Sequence, residues 1–156
     1  MTYTIDRKIA LLSLALCMLI FPALSQAQGK SDQAGVKMAV LDYVEGIYEV
    51  EPERIERSVS QDLAKVGYWR AEDKTTYQES PMSYQQLVDL AGKWNASGRV
   101  DADKARKDIE ILDLMDQIAI VKLSAQWGID YLNLAKVDGR WMIMNVLWQS
   151  YPADAH

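Results

Sequence analysis

The stretch DYLNLAKVDGRWMIMNVLW, residues 130–148, limits what this chain can fold into more than any other segment. Asp138-Gly139 suits a two-residue type I′ turn, whose central residues both need positive φ, and alternating segments flank it on either side. Counting outward from Val137 opposite Arg140, one face of the hairpin carries Lys136/Trp141, Leu134/Ile143, Leu132/Asn145 and Asp130/Leu147. The other carries Ala135/Met142, Asn133/Met144, Tyr131/Val146 and Ile129/Trp148. Each face is mostly apolar with polar residues set into it, so both are expected to be covered, one by helices and the other by a second copy of the chain. On the first face Asp130 and Asn145 are diagonal neighbours among Leu132, Leu134, Ile143 and Leu147, the makings of a pocket floor that looks toward Tyr43 and Ile47.

The opposite end of the chain reads as an export signal. Arg7 and Lys8 precede an apolar run from Ile9 to Phe21, then Pro22 and ALSQA, with Ser25 and Ala27 small enough for positions −3 and −1 of a cleavage site. The run is too short for a membrane span of about 20 residues, and Leu16 before Cys17 does not fit a lipoprotein signal. Cleavage after Ala27 gives a periplasmic or secreted protein of 129 residues without cysteine, since Cys17 is the only one. Such a chain must rely on packing and is long enough to bury a real core in one domain. Losing the leader takes the formal charge from −5 to −6. That sign, and the lack of any Lys/Arg cluster, disfavours nucleic acid and anionic membrane as partners.

Residues 28–32 are polar and small and are expected to be disordered, with a single domain over residues 33–150. Val36, Ala39, Val40, Tyr43, Val44 and Ile47 recur at helical spacing, and Pro52 opens a second helix carrying Ile55, Val59 and Leu63 at four-residue intervals. Gly67 to Arg70 and Thr75 to Glu79 read as a small hairpin joined by AEDK. Ser83 and Gln86 form a capping box for a third helix, with Tyr84, Leu87, Leu90, Ala91 and Trp94 as its stripe, running to about Asn95 before Ser97-Gly98. After the loop GRVDADKA come strands from about Lys107 to Leu114 and from Ile118 to Trp127, then the hairpin. Helices first and antiparallel strands afterwards is the α+β order.

On these segments the chain resembles a known family. The helix ending YVEGIYEVEPERIERSV, the DLAKVGYW after it, IEILDLMDQIAIVKL and the hairpin are similar to the family called "Putative lumazine-binding", in the nuclear transport factor 2-like (SnoaL-like, cystatin-like) superfamily. The resemblance covers Val36 to Trp148. It implies three helices packed in a cone on a strongly bent antiparallel sheet, a cavity inside the cone, and often a dimer through the sheet. The superfamily holds ketosteroid-isomerase-like and polyketide-cyclase-like enzymes beside proteins without activity, so the resemblance does not decide the function.

The residues narrow the chemistry. The single histidine is His156, the last residue given, which removes Ser/His/Asp sites and His-ligated zinc, and no glycine-rich phosphate loop or other cofactor motif is present. A carboxylate in a dry cavity is what remains for proton transfer, because apolar surroundings raise its pKa toward the working range. Asp130 is the candidate general base, with Asn145 orienting and Tyr43 or Tyr48 donating; against that stands the preferred reading, in which Asp130 bonds a backbone amide or Lys136 and Asn145 closes a structural network. Trp94, Trp127, Trp141 and Trp148 offer faces for a flat ring such as a pteridine, or core. Glu45, Glu49, Glu53 and Glu56 read as solvated surface rather than metal ligands, and Asn95-Ala96-Ser97 is a sequon that carries no weight by itself. Three functions follow in order of preference. The first is an exported domain holding a small apolar or aromatic molecule; the second is a lyase or isomerase using Asp130. The third is a dimeric interaction protein with a filled cone.

Overall fold

The computed structural model describes residues 29–71 and 73–152; the leader assigned to residues 1–27 and His156 lie outside the described residues. The unit that begins at Gln33 is compact and holds the domain. Residues 29–48 form helix α1, so residues 29–32 are helical rather than disordered. Extending an existing helix by a few polar residues needs no new nucleus. Among the described residues no helix is long and apolar enough to cross a membrane.

The stripe expected on α1 is the heart of the core: Val36, Val40, Tyr43 and Val44 have no exposed surface, and Ala39 and Ile47 almost none. The helix stops at Val50, whose φ of 61° is left-handed. Glu51 N–H donates to the Gly46 carbonyl (2.9 Å), the six-to-one bond of a Schellman cap, and Val50 therefore sits where such caps favour glycine. Helix α2, Pro52–Ser58, begins with its proline in the first turn and buries Ile55 and Ser58.

Helix α2 ends sooner than the spacing of Ile55, Val59 and Leu63 predicts. Val59–Trp69 is strand β1, buried at Val59, Leu63, Lys65 and Gly67. A four-residue interval is one turn of helix and also two periods of a strand, so the apolar spacing does not separate them; β-branched Val59 and the sheet edge it joins decide for strand. The short hairpin is real but longer than expected: β1 pairs antiparallel with β2, Gln78–Met82, through Trp69↔Gln78 to Lys65↔Met82.

Helix α3, Tyr84–Ala91, carries the full capping box: Gln86 N–H donates to Ser83 Oγ (3.3 Å) and Ser83 N–H to Gln86 Oε1 (2.8 Å). It closes at Gly92 rather than near Asn95, though Trp94 N–H still reaches the Leu90 carbonyl (2.8 Å) and continues the turn irregularly. Strands β3 (Lys107–Leu114), β4 (Ile118–Ala125), β5 (Gly128–Val137) and β6 (Arg140–Ser150) complete one sheet ordered β2-β1-β6-β5-β4-β3. It is antiparallel except where β1 lies parallel to β6, so the sheet is mixed rather than wholly antiparallel. That pairing returns the chain from the helical half to the sheet centre.

The hairpin register changes partway along. Asp138 and Gly139 have φ of 49° and 78° as a type I′ turn needs, and Val137↔Arg140 to Leu134↔Ile143 pair as counted. Then a bulge leaves Met144 without an opposite residue, giving Asn133↔Asn145, Leu132↔Val146, Tyr131↔Leu147 and Asp130↔Trp148. Beyond it the β6 side chains exchange faces. Val146 and Trp148 join the inner face with Asp130, Leu132, Leu134, Trp141 and Ile143, while Asn145 and Leu147 turn outward. Strand β1 is irregular at the same level, between Val59↔Ile143 and Ala64↔Asn145.

Glu45 and Glu49 are not simply solvated. Arg54 of α2 donates to Asp42 (3.1 Å), Glu49 (2.5 Å) and Glu45; Arg57 also holds Asp42 (2.6 Å), and Lys107 of β3 holds Glu45 (2.7 Å). Burial works against the charged forms of Asp42 and Glu45. The hydrogen bonds and charges of Arg57 and Arg54 on the first, and of Lys107 and Arg54 on the second, more than offset it and hold both pKa values below the ordinary range.

Two outcomes follow. Val50→Gly should raise stability by about 1 kcal/mol, read from the urea midpoint, because a left-handed β-branched residue costs more than the extra chain entropy of glycine. Arg54→Met should cost about 2 kcal/mol at neutral pH by leaving three carboxylates short of a partner. Since the folded pKa values of Asp42 and Glu45 lie below the ordinary 3.8 and 4.5, this stabilisation is complete above those values and is lost as pH falls through the folded ones. The gap between Arg54→Met and the parent should therefore close in acid.

Candidate functional site

Asp130, on the inner face of β5, is fully buried. Tyr43 Oη of α1 donates to its Oδ2 (3.0 Å), and Trp127 Nε1, in the turn before β5, donates to its Oδ1 (2.9 Å). Lys65 Nζ of β1, on a residue 5% exposed, donates to Tyr43 Oη (2.8 Å). The phenol thus stands between a buried amine and a buried carboxylate. The same amine lies 5.5 Å from the Tyr43 ring centre and 5.3 Å from that of Trp148.

Burial raises the Asp130 pKa, although the Lys65 charge and the hydrogen bonds from Trp127 and Tyr43 pull the other way. Burial lowers that of Lys65 against the opposing charge of Asp130. The Tyr43 phenol is pushed well above its ordinary value by burial and then by the neighbouring carboxylate. Both ends of the chain of hydrogen bonds are thereby drawn toward neutrality.

Beside this triad is a cavity of about 150 Å³, lined by Tyr43, Ile47, Lys65, Met82, Leu90, Trp94, Trp127 and Trp148. Its aromatic wall is a set of rings in mutual contact. Trp94 and Trp127 meet edge to face (5.6 Å, 79°), Tyr43 meets Trp127 likewise (6.3 Å, 80°), and Tyr48 packs against both tryptophans. Tyr48 is fixed by its hydroxyl, which donates to the Arg106 carbonyl (2.6 Å) and accepts from Gln126 N–H (2.7 Å); burial pushes its pKa up to about 12 despite the Gln126 N–H. Asn95, 6% exposed, donates to the Tyr48 and Val100 carbonyls (2.7 and 2.8 Å), so the asparagine of the sequon is a buried staple under this wall. Trp148 lies over Gly67, where a Cβ would overlap its indole, and its buried Nε1 has no hydrogen-bond partner among the described residues.

The structure sorts the expected site residues into three places. Asp130, Tyr43, Ile47 and Tyr48 converge at or behind the cavity wall. Leu132, Leu134, Trp141 and Ile143 share the inner face but belong to the core below it. Asn145 and Leu147 lie on the outer face, displaced by the bulge, so their assignment to the pocket is overturned. Asn145 instead accepts from Asn133 Nδ2 (3.0 Å) and donates to the Ala64 carbonyl (2.7 Å), tying β5, β6 and β1 together where two strands are irregular. Of the four tryptophans offered for a ring, Trp94, Trp127 and Trp148 line the cavity and Trp141 packs beside Gly35. The sequence reading missed Lys65, Met82 and Leu90. A signal for Lys65 was present, because Leu63, Lys65 and Gly67 share one face once residues 59–69 are read as a strand.

A family model described as "Putative lumazine-binding" matches residues 31–149. The fold is similar to that of an NTF-2 like protein of unknown function from Silicibacter pomeroyi DSS-3, with TM-score 0.66 and 16% identity over 79% of this chain and 98% of that one. It is also similar to an NTF2-like protein of unknown function from Methylobacillus flagellatus KT, with TM-score 0.60 and 21% identity over 78% and 94%. A ketosteroid isomerase-like protein from Erwinia carotovora atroseptica SCRI1043 gives TM-score 0.53 and 11% identity over 76% and 95%. At these identities the likeness is one of fold. No curated protein sequence matches significantly.

Asn145→Ala should cost about 1 kcal/mol in chemical denaturation, because it removes the hydrogen bonds to the Ala64 carbonyl and from the Asn133 amide at a position water can reach. The emission of the cavity tryptophans should stay as in the parent, whereas a pocket residue would change it.

Proposed function

Because the chain belongs to the "Putative lumazine-binding" family of the nuclear transport factor 2-like superfamily, we propose that it is an exported domain that holds one small apolar or aromatic molecule inside its cone. The observation that carries this reading is the cavity: about 150 Å³, walled by Trp94, Trp127 and Trp148, with the hydrogen-bonded Lys65–Tyr43 pair in its lining. A space of that size suits a single ring or a short branched chain. Well-packed cores leave no void of this kind, which weighs against a cone filled only to support an interface.

The Asp130 reading takes a different form on this geometry. Both carboxylate oxygens are occupied by Tyr43 and Trp127, and Asp130 is absent from the cavity lining. The Tyr43 hydroxyl stands between Asp130 and the cavity, so a proton exchanged with a ligand would pass through it, with Asp130 as a reservoir behind.

A homodimer through the sheet belongs to the same proposal. The outer face leaves Tyr68, Ile118, Ile120, Tyr131 and Leu147 between 40% and 55% exposed, and Tyr68, Ile129, Tyr131 and Leu147 border a hollow of about 300 Å³. Exposed apolar residues gathered on one sheet face mark a surface that a second copy would cover. Native mass spectrometry of the protein recovered from its host's periplasm or medium tests the whole reading. The expected species is a dimer of chains beginning at Gln28, with a small bound mass released on denaturation. A bare monomer that still begins at Met1 would overturn it.

A further inference from the structure

We infer that Lys65 is a carbonyl-capturing lysine, and that the molecules the cavity takes are small aldehydes or ketones held as a Schiff base on its Nζ. This deepens the ligand-binding reading and rests on it, since it needs the cavity to admit a ligand. A counter-ion for Asp130 would be served best by direct contact with the carboxylate. Instead Tyr43 Oη is interposed, 2.8 Å from the amine and 3.0 Å from the carboxylate oxygen, and Lys65 is one of the residues that line the cavity. A lysine in apolar surroundings, with a route for its proton to leave, is the usual way an amine becomes a nucleophile near neutral pH.

The proton inventory closes. Lys65 passes a proton to Tyr43 Oη as Tyr43 passes its own to Asp130 Oδ2, leaving a neutral amine, an intact phenol and a carboxylic acid. The amine nitrogen forms a bond to the carbonyl carbon, and a proton moves from nitrogen to the carbonyl oxygen to give the carbinolamine. The C–O bond then breaks as Asp130 returns its proton through Tyr43 to the departing hydroxyl, which leaves as water. What remains is a protonated imine on Lys65 facing the Asp130 carboxylate. The buried pair carries the same charges before and after, so capture creates no uncompensated charge in the core. The tryptophan wall supplies the apolar faces that a ring on the carbonyl carbon would occupy.

Benzaldehyde, a single ring with one carbonyl, is the probe. The full chain is incubated with it at neutral pH in the presence of cyanoborohydride, which reduces a protonated imine and spares the free aldehyde, and the modified lysine is located by peptide mass mapping. In parallel, benzyl alcohol, of the same shape without a carbonyl, is titrated against tryptophan fluorescence. The expected result is an N-benzyl group on Lys65 well before the exposed lysines react, with labelling slowed at least about tenfold in Tyr43→Phe, which keeps the amine and removes its proton route. Lys65→Met should abolish that label; if it fails to fold, the parent map and Tyr43→Phe still decide. Quenching by benzyl alcohol with no label on Lys65 would overturn the Schiff-base inference and leave the ligand reading standing. Neither quenching nor label would overturn both.

Discussion

The register of the β5–β6 hairpin governs what this fold can present to its interior. A type I′ turn sets pairing at one end, and the bulge at Met144 resets it four residues later. Because strand side chains alternate, one unpaired residue exchanges every position beyond it between inside and outside. Trp148 enters the cavity and Asn145 leaves it for that reason alone. The bulge coincides with the irregular stretch of β1, and Asn145 donates to the Ala64 carbonyl at that level, so one amide side chain helps two strands depart from regular pairing together. Without the bulge, the cone would have Leu147 where it now has the Trp148 indole and Asn145 where it now has Val146, and Gly67 would face no ring.

Around that framework the molecule buries a carboxylate, a phenol and an amine in contact. Such groups are costly to remove from water, and only complete hydrogen bonding makes the arrangement tolerable. Each Asp130 oxygen has one donor, Tyr43 both donates and accepts, and the Lys65 charge is further eased by two aromatic faces. The lysine that completes this network also lines the cavity. Structural and chemical roles therefore fall on the same atoms, and changing Lys65 or Tyr43 is expected to disturb packing as well as any ligand.

Much of the frame was legible from residues alone. The α1 stripe, the capping box at Ser83 and Gln86, the alternation of β4 and the turn at Asp138-Gly139 each follow from periodicities and turn chemistry that act over a few residues. The grouping of Asp130 with Leu132 and Leu134 on one face came from the same counting. Where the reading failed, it failed for want of information rather than of pattern. The four-residue spacing of Ile55, Val59 and Leu63 fits helix and strand alike, and only pairing with β6 makes residues 59–69 a strand.

By itself the sequence determined the helix face that forms the core, the order of helices before strands, and the turn from which the hairpin is counted, because these depend on neighbours close in the chain. The tertiary structure alone decided the bulge at Met144, the parallel pairing of β1 with β6 and hence the meeting of Lys65 with Tyr43 and Asp130. Those residues lie 22 and 87 positions from Tyr43. A contact of that span is fixed by how strands settle against one another and against α1, and no local period encodes it.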